Sequence, residues 1–520
     1  MTKWPFSSRS VRASTLAVSA LLALPAAGTA TSLPLRTFDV SELAPPAAGQ
    51  SAAAADPAVS ADGSVVAFDS PAPAGGRQVY AVNILTGFRT LVSAAPGGVP
   101  ANGSSVAPTI SADGSAIAFL STATDLVAGA PAGEALYVSG GGMIRMISAV
   151  DVAGAPGAVS EPVSMSADGT AVAFTSATAL TSDDTNGEPD VYVCNLDTNV
   201  ISLVSAAAGG GPANGASGNP SISANGRYVS FESSATNVVS GSNGGVFVRD
   251  LAASKTDVVS VSTRGANQNM SVGAPFHQIS SISADGRYVA FDSNATNLVQ
   301  GDVNRRTDVF LRDRKRRTTI LVSENNAGFE GNNDSFFPTI SPDGKKIAFE
   351  SLASQLARGG GPRENVFVRD VALGLTSVVD VGPTGLPLNA EAVKQLLQRP
   401  AISRTANVAA FETTAPNLTG QSGGEPHVFV RLMDPPRGVF QRPPPFRTRS
   451  RRVPVNLRAD ERRASAFACR IDGGTPFVCR PGAFRLPKVR LGRHVLTVRA
   501  GGPGMLYDPL QLKATFRVVR

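Results

Sequence analysis

The decapeptide ISADGRYVAF, Ile282 to Phe291, returns along most of the chain, and no other feature restricts the possible folds so strongly. Its relatives are VSADGSVVAF ending at Phe68, ISADGSAIAF at Phe119, MSADGTAVAF at Phe174, ISANGRYVSF at Phe231, ISPDGKKIAF at Phe349 and a worn ISRTANVAAF at Phe411. Successive final phenylalanines are 51, 55, 57, 60, 58 and 62 residues apart, a spacing that marks repeated supersecondary units. Asp-Gly or Asn-Gly between apolar, β-branched runs is a hairpin signal: glycine supplies the positive φ, and Asp or Asn closes an Asx turn. Downstream of most copies lie a third run, such as VFVRDL from Val246 or VFLRDR from Val309, and a fourth, such as TTILVS from Thr318. Four short strands per repeat make a blade.

The S-x-D-G-x-x-x-A-F hairpin followed by a D-V-F-V-R-D strand resembles the TolB-type, WD-like propeller repeat, over roughly residues 35 to 433. The resemblance implies one four-stranded blade per repeat, and so an all-β, seven-bladed β-propeller. It also implies work through protein contacts in the cell envelope. The last copy departs from the pattern, with Thr405 and Ala406 where Asp and Gly stand elsewhere.

The two ends of the array have matching deficits. Leu35 to Ser41 reads as a fourth strand with no first three, and the seventh repeat has a third strand, His427 to Leu432, with no clear fourth. Pairing of the two closes the ring and removes an exposed edge. Ahead of this strand, residues 1–30 carry Lys3, Arg9 and Arg12, an apolar run from Ala13 to Leu24 and the small-residue end Gly28-Thr29-Ala30. That is the order of parts in a secretory signal, and the apolar run is short of the about 20 residues that span a bilayer. An exported monomer with no remaining transmembrane span is expected, either secreted or associated with the envelope.

Loop lengths choose a face. Turns between first and second strands and between third and fourth strands are short, whereas second-to-third and blade-to-blade connections are long. Both long classes emerge on the same side of an up-and-down blade, which makes that side the expected binding face for an envelope or extracellular protein or glycan. Its loops are rich in Asn, Gly and Ser, as at Asn102, Asn214, Asn267 and Asn332. A short helix over Asn389 to Gln398 is also expected there, capped by Asn389 and stopped by Pro400.

From Asp434 the character changes. Residues 434–452 are Pro- and Arg-rich and read as an extended linker, and 453–520 alternate apolar and polar residues around an Asp-Gly-Gly hairpin. These residues resemble the small Ig-like or fibronectin-like domains appended to bacterial secreted proteins, which implies a small β-sandwich. Cys469 and Cys479 flank the hairpin, and export favours a disulfide between them, with two buried thiols as the alternative. Cys194 reads as a small core residue. Residues 31–436 hold 25 Lys and Arg against 36 Asp and Glu, whereas 437–520 hold 19 against 4. The basic tail is suited to an anionic polymer or to the acidic propeller, or it is simply a solubilising surface. Nucleic acid is not an expected partner, because no aromatic stacking positions interleave the arginines.

Residues suited to catalysis are few. The three histidines, His277, His427 and His494, have no metal-ligand spacing, and no G-x-S-x-G elbow occurs. No catalytic residue is assigned; the alternative to a binding scaffold is a polysaccharide lyase or hydrolase with its site at the axial mouth, which needs acidic or histidine side chains converging from several blades. One pattern on the looped side suits a cation. Asp184, Asn186 and Asp190 in the third repeat and Asp302, Asn304 and Asp308 in the fifth both spell D-x-N-x-x-x-D. Oxygen ligands at alternating positions with a later carboxylate are what Ca2+ takes from a short loop. The third-repeat copy looks the better of the two, because Gly187 permits a sharp turn and Arg305 and Arg306 interrupt the other. Asx turns that start a strand are the plainer reading of both.

Overall fold

The computed structural model describes residues 37–40, 54–72, 76–84, 86–130, 132–147, 159–270, 279–357, 364–380, 400–403, 408–414, 426–432, 438–442, 447–450, 452–459, 466–472, 477–479, 482–501 and 512–519. Seven four-stranded antiparallel sheets follow one another around a ring. Blade 5 is representative: Ser280–Ile282, Tyr288–Ser293, Asp308–Asp313 and Thr318–Leu321 pair in chain order. Blade 7 is composite. Its strands Ala401–Ile402, Val408–Thr413 and His427–Leu432 are completed by Thr37–Asp39, with Phe38 opposite Val430. The seven-bladed, N-terminally closed ring expected from the repeats is the observed fold.

Each residue of the repeated decapeptide has a structural task. In the fifth copy, Asp285 Oδ1 accepts hydrogen bonds from the Ser283 hydroxyl at 2.7 Å and the Arg287 amide at 3.0 Å, and Ser283 Oγ accepts the Tyr288 amide at 2.9 Å. Serine and aspartate thus satisfy amides of the four-residue connection, 284–287, and of Tyr288, which closes it. Glycine is required at Gly286, where φ is 70° and an added Cβ would lie 2.2 Å from the Tyr228 ring of the preceding blade. The backbone of the first five hairpins also reaches the next one, as in Ala61 N to Ala112 O, Ala112 N to Ala167 O and Ala224 N to Ala284 O. The short-turn face is therefore a hydrogen-bonded collar.

The final phenylalanine of every copy is buried and sits directly opposite an aromatic residue of the third strand. The seven pairs run from Phe68 with Tyr80 to Phe411 with Phe429, with ring centroids 5.7 to 6.2 Å apart. Such a pair contributes about 0.5–1.5 kcal/mol beyond its buried area. Between blades the core is continuous. Val66, Phe68 and Val82 of blade 1 pack with Val408, Ala410, Val428 and Val430 of blade 7 and with Val40, so the seam of closure is as apolar as any other. The arginine of the third strand ties neighbouring blades together. Arg312 Nη1 donates to the Ser262 carbonyl at 3.2 Å, and Arg369 Nη1 donates to the Glu324 and Asn325 carbonyls at 3.3 Å.

After the ring, a three-stranded and a five-stranded sheet share one core that includes Val453, Val455, Cys469, Leu496, Val498 and Phe516. This is a small β-sandwich. The expected linker over 434–452 is partly structured: Gly438–Arg442 pairs with Pro454–Ala459, and Arg447–Thr448 pairs with Leu512–Val518. The prolines sit at 435–436 and 443–445 and leave the amides between and after them free to pair. The signal-like segment 1–30, the helix expected at 389–398, the worn turn at Thr405 and Ala406, and His277 lie outside the described residues. Among the described residues no helix is long and apolar enough to cross a membrane.

Candidate functional site

Ends of second strands, starts of third strands and ends of fourth strands all meet at the long-loop edge of the ring. The asparagines that enrich these loops are mostly occupied. Asn102 exchanges hydrogen bonds with Thr124, Nδ2 to Oγ1 at 2.9 Å and the Thr124 amide to Oδ1 at 2.9 Å. The same staple joins Asn214 to Thr236, Asn269 to Thr296 and Asn332 to Ser354. Each ties a blade-to-blade loop to a second-to-third loop, so these residues stiffen the face. In NQNMS it is Asn269 that forms the staple, while Asn267 Nδ2 donates to the Gly241 carbonyl at 2.7 Å.

The aspartate that opens the third strand is likewise a clasp. Asp308 Oδ1 accepts from the Ser323 hydroxyl at 2.5 Å, and Ser323 Oγ accepts the Val309 amide at 3.1 Å. Asp190 and Ser205 repeat this in blade 3. Asn186 and Asn304 form the Asx turns. Their Nδ2 atoms donate to Asp190 at 2.6 Å and Asp308 at 2.8 Å, and their Oδ1 atoms accept the amides of Glu188 and Arg306. Up to this point the two D-x-N-x-x-x-D loops are alike.

They differ at the first aspartate. The Asp184 carboxylate accepts the hydroxyl of Tyr192, the aromatic partner of Phe174. Blade 5 has Phe310 in that place, and Asp302, 9% exposed, keeps Oδ1 inside the protein with no hydrogen-bond partner. A third carboxylate then joins. Glu330, on the loop leading to blade 6, stands where blade 3 has Pro212, to judge from the bridges Glu324 to Glu330 and Ala206 to Pro212. One oxygen from each of Asp302, Asp308 and Glu330 lies within 4.8 Å of the other two. Burial, with Glu330 beside it, pushes Asp302 up to about 6. Burial also raises Asp308 to about 7, with Asp302 and Glu330 adding repulsion against the lowering effect of Ser323 and Asn304. Asp190 is raised to about 7, chiefly by burial. Glu330 was not visible in the motif, because it lies in a different loop and its position carries proline in blade 3.

Blade 6 exchanges the clasp partners: Asn365 opens the third strand and donates to Asp380 Oδ2 at 3.0 Å. Asp380 is buried, its Oδ1 has no partner, and burial lifts it to about 7. Nearby, burial together with Glu364, Asp380 and Glu412 holds Glu350 well above the usual carboxylate range.

The channel through the ring is lined by the first strands of all seven blades, around a cavity of about 260 Å³. Its wall hydroxyls serve the scaffold, with Ser164 Oγ accepting the Ile222 amide, Ser221 the Ile282 amide and Ser281 the Ile340 amide. Among the described lining residues Asp56 is the ionisable one. At the collar end, Val59, Ile110, Met165, Ile222, Ile282, Ile340 and Ile402 narrow the channel to an apolar ring.

His427 Nδ1 lies 2.7 Å from Asp39 Oδ2 across the closing strand pair, and His494 Nδ1 lies 2.7 Å from Asp472 in the sandwich. Both therefore fasten strands. Cys194 is buried in the core between blades 2 and 3, and burial pushes its thiol up to about 11, which makes it inert at neutral pH. Cys469 is buried in the sandwich core, and Cys479 lies opposite Phe467 on the adjoining strand.

No protein-family model matches the chain. No curated protein matches it either. Solved structures similar to it include an oligogalacturonate lyase from Vibrio parahaemolyticus, 11% identical, covering 76% of this chain and 93% of that one with a TM-score of 0.47. TolB from Acinetobacter baumannii is 14% identical and covers 71% of this chain and 79% of its own, with a TM-score of 0.33. Likeness of this degree carries no conclusion about activity.

Proposed function

We propose that the protein is an exported, TolB-like β-propeller that serves as a binding scaffold in the cell envelope or outside the cell, with the long-loop face as its contact surface. The observation that carries this reading is the contrast between the two ends of the ring. At the collar end the first five hairpins bond one to the next, and the channel narrows to apolar side chains. The looped end holds buried carboxylate oxygens without partners, Asp302 Oδ1 and Asp380 Oδ1, on loops stiffened by asparagine staples. Stiff, polar loops on a rigid scaffold are where a partner binds. The basic sandwich domain, closed by a Cys469–Cys479 disulfide and Ig-like in kind, supplies a second contact, to an anionic polymer or to the acidic ring.

Affinity capture from envelope extract with the full mature chain tests the reading. A partner retained by the parent and lost when loop residues such as Asn102, Asn214 and Asn332 are replaced supports it. Capture that is indifferent to the looped face contradicts it. Fractionation of cells expressing the full chain tests export, and a cytoplasmic product of full length removes that part.

A second reading has one observation in its favour. Glu350 stands beside Glu364, Asp380 and Glu412, and a carboxyl that burial and carboxylate neighbours keep protonated can act as a general acid. It predicts turnover of a polysaccharide, followed as new reducing ends or new double bonds, and loss of that turnover in Glu350→Gln.

A further inference from the structure

The geometry points to a divalent-cation site in blade 5, formed by the carboxylates of Asp302, Asp308 and Glu330, which takes a hard, oxygen-seeking ion of the Ca2+ class. It stands independently of the binding reading, since a scaffold with no partner would hold the ion equally well.

Three observations meet at this place. The first is spacing: one oxygen from each carboxylate lies within 4.8 Å of the others. Ligands around Ca2+ sit at about 2.3–2.6 Å and so lie at most about 5 Å apart. The second is the state of Asp302, a residue 9% exposed whose Oδ1 is enclosed and accepts no hydrogen bond. A buried carboxylate oxygen without a donor is costly, and a cation removes that cost. The third is charge. Among the described residues no ion pair involves these three carboxylates; Arg306, two residues before Asp308, instead reaches Asp334 at 3.6 Å.

The rest of the loop is already fixed. Asn304 holds the turn and donates to Asp308 Oδ2, Ser323 donates to Asp308 Oδ1, and the Val303 amide donates to Glu330 at 3.1 Å. The ligands are therefore oriented before any ion arrives. Blade 3 makes a natural control, with Tyr192 taking the place of the ion at Asp184 and Pro212 standing where Glu330 would be.

The test is titration of the full mature chain with CaCl2, by calorimetry and by thermal melting against a chelator baseline. One Ca2+ per chain is expected, with a rise in melting temperature of roughly 3 °C at a hundredfold excess over Kd. Asp302→Asn is expected to abolish both signals, and Glu330→Gln to weaken affinity at least about tenfold. Asp184→Asn should leave them intact. In chelator, Asp302→Asn should melt no lower than the parent, which shows that it folds. Absence of heat and of any melting shift in the parent at millimolar CaCl2 overturns the proposal. So does undiminished binding in Asp302→Asn, or an equal loss in Asp184→Asn.

Discussion

Blades 3 and 5 carry the same seven-residue loop pattern, share the Asx turn and the Asp–Ser clasp, and differ in what meets the first aspartate. In blade 3 a tyrosine hydroxyl from the blade's own aromatic pair satisfies Asp184; in blade 5 the equivalent ring is Phe310, and Asp302 faces Asp308 and Glu330 instead. Two side chains outside the motif thus separate the loops: Tyr192 against Phe310, and Pro212 against Glu330. The lesson is that a repeated scaffold holds the backbone constant, and side chains outside the motif decide what the motif does.

Proton linkage offers the largest expected effect. Asp190 and Asp308 hold their protons up to about 7 when folded, against 3.8 as their ordinary value, and Asp302 does so up to about 6. A carboxyl whose folded-state value is raised contributes stability that is complete below the ordinary value and is lost as pH rises through the folded one. Melting temperature in chelator is therefore expected to climb as pH falls from 8 to 5. The groups facing Asp308 are Asp302 and Glu330, and those facing Asp190 are Asp184 and Glu188. Saturating calcium should flatten the blade 5 share and leave the blade 3 share; a slope untouched by calcium and by Asp308→Asn breaks the comparison.

Next in size is Tyr192→Phe, which makes blade 3 resemble blade 5 at this position. Loss of the hydroxyl leaves Asp184 buried without its donor, at a cost of about 1–3 kcal/mol in urea unfolding. A change under a few tenths shows that the hydroxyl contributes little. The reverse exchange, Phe310→Tyr, has the smallest expected effect on stability, a gain of about 0.5–1.5 kcal/mol in chelator. It should also weaken calcium binding, because the new hydroxyl competes for Asp302. Unchanged affinity would mean that the ring does not face the carboxylate.

Much of this architecture was readable from the chain. Seven final phenylalanines gave the blade count, and a fourth strand without predecessors at Leu35 to Ser41 gave the closure with His427 to Leu432. The looped face was also legible, since loop length follows from strand spacing. The site was legible only in part. Asp302, Asn304 and Asp308 stand in the motif, but Glu330 comes from another loop, and only the fold brings it there. Local reasoning favours the third-repeat copy for Gly187 and for the absence of the arginines that interrupt the other. It could not weigh Tyr192 against Phe310, because a ring two residues into the next strand reaches back to the loop only once the blade has formed. The asparagine-rich loops misled in the same way, since Asn102, Asn214 and Asn332 bond to threonine or serine 22 residues onward.

Crystals of the full mature chain grown with Mn2+ in place of Ca2+, measured for anomalous scattering, would decide between the two loops in a single map. A peak among Asp302, Asp308 and Glu330, with none at Asp184 and Asp190, is the expected result. A peak in blade 3, or a map empty at both loops with Asp302 turned to a protein donor, would contradict it.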